Sequence, residues 1–202
     1  DLILTITGNI KSILMAERVT LNFMQRMSGI ATVTNRYVKE VEGTKTKIYD
    51  TRKTAPGMRL LDKYAVKVGG GENHRMGLYD MFLIKENHVA AAGSITKAIE
   101  LCYEYRKDEE LDCKIQIEVR NFEELREALD SGKADMVLID NFKIEDMAEA
   151  VKIVNGSMEV EASGGVTFEN LRRIAETGVD RISIGALTHS VKAFDLSLLL
   201  EN

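Results

Sequence analysis

The chain of 202 residues has one proline, Pro56, two cysteines, and no excess of basic residues, its formal charge being −5. Each scarcity removes a class of protein. Cys102 and Cys113 stand outside any CxxC or Cys/His cluster, so neither a disulfide framework nor a zinc site is indicated, which suits a reducing cytoplasm. With a pI near 5.4 the chain lacks the cationic excess that a broad nucleic-acid footprint needs to neutralise phosphates. Any anion site must therefore be local. No window approaches the roughly eighteen apolar residues of a membrane span, and the first residues lack the basic and apolar segments of a signal peptide. Nucleic acid and membrane are thereby excluded as partners. There is no low-complexity segment, and no GxGxxG follows the first strand of the αβ region.

What is present is a chain 45% hydrophobic, enough for one core at the lower size limit of an α/β barrel. From Lys11 to Glu42 apolar residues recur at helical spacing (Leu14, Leu21, Met24, Met27, Ile30, Val33, Tyr37, Val41). This predicts a long helix or a helix pair, with its weak point at Ser28 and Gly29. Asp1 to Thr7 reads as a strand. Beyond Gly43 the pattern predicts strands at 46–51, 81–85, 113–119, 136–140, 158–162 and 181–185. Helices are predicted at 59–68, 94–106, 122–131, 144–155 and 168–177. Such alternation requires right-handed crossovers and a parallel sheet. The strand-end residues Arg52, Lys85, Glu118, Asp140, Ser163 and Gly185 recur at nearly equal intervals, which favours a barrel over an open doubly wound sheet. Gly132, Gly156 and Gly178 sit just past helices, where a left-handed cap is wanted.

In a parallel barrel the strand C-termini carry the substrate site. There Arg52, Lys53, His74, Arg75 and Lys85 form a positive cluster on an acidic protein, suited to a small polyanion. Adjacent Arg and Lys are in most loops a solvated surface pair; here Lys85 follows the apolar run Met81–Ile84 and should emerge from a buried strand, where an unpaired ammonium is costly. The same lysine is equally placed to be a Schiff-base nucleophile. Gly69–Gly71 reads as a plain flexible turn, and His88 as either a ligand or a hydrogen-bonded structural histidine. Glu118 and Asp140, on neighbouring strands, are placed to hold Mg²⁺ through water or to bind sugar hydroxyls, although singly each reads equally as a cap or an ion-pair partner. The Ser163-Gly164-Gly165 turn and Gly185 open onto helix N-termini and present backbone N–H groups to a phosphate.

Taken in order, ERVTLNF (17–23), MSGIAT (27–32), DTRKTAPGMR (50–59), GGGENHRMGLYDMFLIKENH (69–88), IEV (117–119), IDNF (139–142), EASGGV (161–166) and ISIGALTHS (182–190) resemble the signature blocks of the quinolinate phosphoribosyltransferase family. The resemblance covers nearly the whole chain, and the blocks from 50 to 88 are the most specific. It implies an incomplete TIM-like barrel at 46–190, preceded by the remnant of an N-terminal sandwich domain at 1–12 and a helical segment at 13–45, with a C-terminal segment at 191–202. Family members begin with an open-faced sandwich domain; about a strand of it fits before Arg18, which implies a truncated chain or one piece of a larger assembly.

The reaction implied joins quinolinate to phosphoribosyl pyrophosphate (PRPP), yielding nicotinate mononucleotide, pyrophosphate and CO₂, with Mg²⁺ and no organic cofactor. The resemblance assigns quinolinate to Arg18, Arg52, His74, Arg75, Lys85 and His88, and PRPP to Lys53, Glu118, Asp140, Ser163, Gly164, Gly165 and Gly185. Lys53, Lys85, Glu118 and Asp140 are the catalytic expectations, and Glu118 and Asp140 the metal ones. It further implies a cytoplasmic homodimer, or a higher oligomer, in which Arg18 serves the neighbouring subunit. Three other readings compete: a related phosphoribosyltransferase acting on another anionic ring, a Schiff-base aldolase using Lys85, and a non-catalytic subunit.

Overall fold

Strands and helices alternate from Lys47 to His189 in the computed structural model, which describes residues 1–200. In chain order they are α1 (Ile10–Glu40), β1 (Lys47–Tyr49), α2 (Arg59–Val68), β2 (Phe82–Ile84), α3 (Glu86–Ala92), α4 (Ile95–Asp108), β3 (Ile115–Val119), α5 (Phe122–Ser131), β4 (Met136–Asp140), α6 (Ile144–Val154), β5 (Glu159–Ser163), α7 (Phe168–Glu176), β6 (Arg181–Ser183) and α8 (Ala186–His189). All six strands are parallel, in the order β1-β6-β5-β4-β3-β2. The edges are thus β1 and β2, neighbours in the chain, and the barrel is left open between them. Glu72 partly fills that seam: its N–H donates to Ile48 O at 2.7 Å, and its carbonyl accepts from Asp50 N at 3.1 Å.

Alternation along the strands separates two environments. Ile115, Ile117 and Val119 of β3 are fully buried in the hydrophobic core with Leu125 and Ala128 of α5. Gln116, between them, turns the other way and donates across β4 to Glu161 of β5 at 2.9 Å. The barrel interior therefore contains a polar layer, unusual in a space that is more often filled by branched apolar side chains.

Several expectations need correction. Asp1 to Thr7 forms no strand; it has no neighbouring strand to supply a hydrogen-bond ladder, and Leu2, Ile3 and Leu4 are exposed. The first helix begins at Ile10 and runs unbroken through Ser28 and Gly29. Gly29 marks a crossing and not a break: a Cβ there would lie 2.3 Å from Lys192 O, so the missing side chain lets the C-terminal segment cross the helix. That segment is held by Phe194 N donating to Gln25 O at 3.0 Å. The Gly69–Gly71 run is a tight packing site, since a Cβ on Gly69 would sit 2.4 Å from Ala31 O of α1. Helix α3, which the sequence reading lacks, fills residues expected to be loop. Gly132 caps α5 in the left-handed conformation (φ 61), whereas α6 stops at Asn155, one residue before the expected glycine. Among the described residues no helix is long and apolar enough to cross a membrane.

Candidate active site

The C-terminal ends of the strands surround a cavity of about 600 Å³. Arg52, Lys53, His74, Arg75 and Lys85 line it, together with Glu118, Asp140, Asn141, Ser163, Gly164, Gly165 and Gly185. A second cavity, about 520 Å³, lies at the opposite end of the strands. Much of the charge there is paired, Arg106 with Asp135 at 2.6 Å and both Lys114 and Arg181 with Glu159, while His74 and Arg75 line both cavities. At the C-terminal mouth the balance differs. Among the described residues Arg52, Lys53 and Arg75 have no carboxylate partner, while Lys85 pairs with Glu118 and His74 faces Glu161. Arg75 is only 9% exposed, and its one protein acceptor is Met81 O, at 3.1 Å. Burial, and then the neighbouring Arg52 charge, lower its pKa from the ordinary arginine value. It remains a cation. A buried guanidinium without a counter-charge is costly unless an anion completes it.

Buried frameworks fix these cations. Lys63 of α2 is fully buried, and its ammonium lies 2.5 Å from Asp50 Oδ1 and 2.8 Å from His74 O. Asp50 Oδ1 also accepts from His74 N at 2.8 Å. Asn73, its amide nitrogen facing acceptors, donates to Asp50 Oδ2 at 2.8 Å. This knot fastens the segment carrying His74 and Arg75 to the end of β1. A second knot holds the loop carrying Lys53. Arg26 of α1 makes two hydrogen bonds to the buried Asp62, at 2.8 and 2.7 Å, and Asp62 accepts from Ala55 N at 3.2 Å. Thr188 Oγ1 then donates to Lys53 O at 2.9 Å. The aliphatic part of Lys53 crosses Gly185, where a Cβ would lie 2.9 Å from Lys53 Cδ.

His74 is almost wholly engaged by the protein. Its Nδ1 accepts from Arg75 N at 2.8 Å, and its Nε2 lies 3.3 Å from Glu161 Oε2. Burial alone would raise the Glu161 pKa, but the neighbouring His74, Ser183 and Gln116 outweigh it and leave the carboxyl below its ordinary value. Glu161 is therefore an ionised carboxylate at the centre of the barrel. Its Oε1, like Gln116 Oε1, is buried without a protein partner.

Two of the expected ligand residues lie outside the cavity. His88 is on the exposed face of α3, where its Nδ1 accepts from Lys85 N at 2.9 Å and caps the helix, the structural alternative of the sequence reading. Arg18 is exposed on the N-terminal half of α1 and does not line the cavity. The remaining expected site residues lie together at the mouth.

Comparison with known proteins decides the family. The C-terminal domain model of quinolinate phosphoribosyl transferase matches residues 30–199, and the N-terminal domain model of the same family matches residues 1–28. The chain belongs to the quinolinate phosphoribosyltransferase family. A chloroplastic nicotinate-nucleotide pyrophosphorylase [carboxylating] of Arabidopsis thaliana is 46% identical over 97% of this chain and 60% of its own length. A probable nicotinate-nucleotide pyrophosphorylase [carboxylating] of Bacillus subtilis is 45% identical over 98% of this chain and 67% of its own length. The solved nicotinate-nucleotide pyrophosphorylase of Francisella tularensis superposes with a TM-score of 0.88 at 50% identity, covering 94% of this chain and 66% of that one. The chain thus spans about 60% of the length of the plant relatives it matches.

Set beside the family blocks, the structure adds residues that the sequence reading left without a role. His189, inside ISIGALTHS, lines the mouth against Gly185. The buried Asp62, Lys63 and Glu161 and the half-buried Arg26 are the charges behind it. In α2 the buried positions are Asp62, Lys63, Ala65 and Val66, so that two charges fall on the side of the helix that faces the core.

Proposed function

We propose that this protein transfers phosphoribosyl from PRPP to quinolinate with loss of CO₂, giving nicotinate mononucleotide. The observation that carries this reading is the division of the mouth. Arg52 and the buried Arg75, without carboxylate partners among the described residues, follow β1, Lys85 follows β2, and Glu118, Asp140 and the Ser163–Gly165 turn lie at the ends of β3, β4 and β5, the two sets meeting at the Lys85–Glu118 pair. The cationic side suits a dicarboxylate, because guanidinium groups bind carboxylates bidentately. The other side suits a phosphorylated sugar, with acids for hydroxyls and turn N–H groups for phosphate.

In this reading Arg52, Arg75 and Lys85 hold the two carboxylates so that the ring nitrogen faces C1 of the ribose. A C–N bond forms as the C–O bond to pyrophosphate breaks, and Lys53 faces the charge that leaves. The ring is then cationic at nitrogen. The adjacent C–CO₂ bond breaks, its electron pair stays on the ring carbon, and that carbon takes up a proton. Mg²⁺ would accompany PRPP. Among the described residues no group of three or more His, Cys, Asp or Glu side chains is arranged to hold a metal ion. Two carboxylates, Glu118 and Asp140, fit an ion carried mainly by substrate phosphates and water. When bound, it would neutralise charge on pyrophosphate.

A homodimer with Arg18 acting in trans belongs to the same proposal. Ile10, Leu14, Met15, Val19 and Phe23 are exposed around Arg18 on α1, and Leu60, Tyr64 and Val68 form an exposed row on α2. Apolar surface on this scale suits a subunit contact. A cytoplasmic location fits the two unpaired cysteines.

The test is to incubate the chain with quinolinate, PRPP and Mg²⁺. Nicotinate mononucleotide and CO₂ in equal amounts are expected; PRPP consumption with another anionic ring in place of quinolinate would overturn the substrate assignment. The aldolase alternative is disfavoured by the ion pair that engages Lys85 with Glu118, and borohydride with a carbonyl substrate should leave Lys85 unmodified.

A further inference from the structure

Asn141 follows Asp140 at the end of β4, and four observations converge on it. Its backbone is left-handed (φ 56), a conformation that costs an ordinary residue and that asparagine tolerates best after glycine. Asn155 is left-handed too, but it ends a helix; Asn141 ends a strand, and α6 starts only at Ile144. Helix capping therefore does not explain Asn141. Its side-chain Nδ2 donates to Asp140 Oδ2 at 2.7 Å. Its backbone N–H donates to Ser163 O at 3.0 Å. Its amide fills the space in front of Gly164, where a Cβ would meet Asn141 Oδ1 at 2.3 Å and Nδ2 at 2.9 Å. The positive φ of Gly164 (84) and the absence of its side chain thus serve one neighbour.

We propose that Asn141 is a positioning residue for PRPP, locking the Asp140 carboxylate to the Ser163–Gly165 turn so that the sugar and phosphate subsites keep a fixed separation. This rests on the reading that Asp140 and that turn bind PRPP. The amide occupies one carboxylate oxygen, which sets the side-chain rotamer and leaves the other oxygen for a sugar hydroxyl or a water. A carboxylate held by one donor cannot swing away from the mouth when the site is empty, so binding need not order it.

The test uses two variants with different defects. Asn141→Gly keeps the left-handed backbone and removes the amide. Asn141→Asp keeps the size but replaces the donor with a second carboxylate beside Asp140. Both should bind PRPP about tenfold more weakly in calorimetric titration, as expected for losing a hydrogen bond to a charged group, with Asn141→Asp the weaker binder. Quinolinate KM should change less than about twofold, and the melting temperature of Asn141→Gly should stay close to that of the unsubstituted chain. Equal weakening for both substrates, or PRPP binding unchanged in both variants, would overturn the positioning role. If the unsubstituted chain itself fails to bind PRPP, the functional reading falls, and this inference with it.

Discussion

The buried pair of Lys63 and Asp50 gives the sharpest prediction about the framework. Lys63→Met keeps the aliphatic stem and removes the ammonium, which leaves the Asp50 carboxylate buried without its cation, 0% exposed. Breaking a buried pair from one side costs about 3–5 kcal/mol. Asp50 retains two donors, His74 N and the Asn73 amide, so the lower half of that range is expected. For a domain of this size each kcal/mol lowers Tm by about 2–4 °C, and the loss should be about 6–16 °C. The double variant Asp50→Asn/Lys63→Met removes both charges and should recover more than half of it, because no buried ion is then left unpaired. Thermal melts by circular dichroism on the unsubstituted chain and the two variants read this directly. A single variant within about 1 kcal/mol of the unsubstituted chain, or a double variant no better than the single, would refute the reasoning.

Three further outcomes are expected. The Glu161 pKa lies below its ordinary value, so the stability it contributes is present above the ordinary carboxylate pKa and is lost as pH falls through the folded one; Glu161→Gln should flatten the acid limb of a Tm-against-pH curve, and an unchanged limb would assign the acid sensitivity elsewhere. Gly69→Ala places a Cβ 2.4 Å from Ala31 O and should cost about 1–3 kcal/mol by overpacking, read by urea unfolding; a neutral result would mean that α1 yields at that point. Mixing Arg18→Ala with Lys85→Ala protein under subunit exchange should restore activity towards about a quarter, since one site of a mixed dimer escapes both defects; exchange shown by mass without recovery would place Arg18 outside any shared site.

The central strands were the most legible part of the fold. Residues 136–140 form β4 as predicted, and β3 and β5 differ from expectation by at most two residues at an end. The apolar run is continuous in β4 and alternates with polar residues in β3 and β5, and both patterns are those of a strand. Asp1 to Thr7 misled because β-propensity without a partner strand makes no sheet. Helix α3 was missed because seven residues make a weak periodic signal. At the mouth, the cations and acids were legible because strand-end position and residue type coincide there. The residues behind them were not: Arg26 and Asp62 are 36 positions apart, and local periodicity does not report a pair that only the fold brings together. His88 lies outside the cavity for a local reason, since the turn that starts α3 directs its ring to the Lys85 backbone.

The central claim is that the mouth is divided between a dicarboxylate side and a phosphoribosyl side. The most direct measurement is a pair of calorimetric titrations, quinolinate and PRPP separately, on the unsubstituted chain, Arg75→Ala and Asp140→Asn. Arg75→Ala should weaken quinolinate by about 2–5 kcal/mol and leave PRPP nearly unchanged, and Asp140→Asn should do the reverse. If both variants weaken both substrates equally, the two sides do not have separate occupants and the account is wrong.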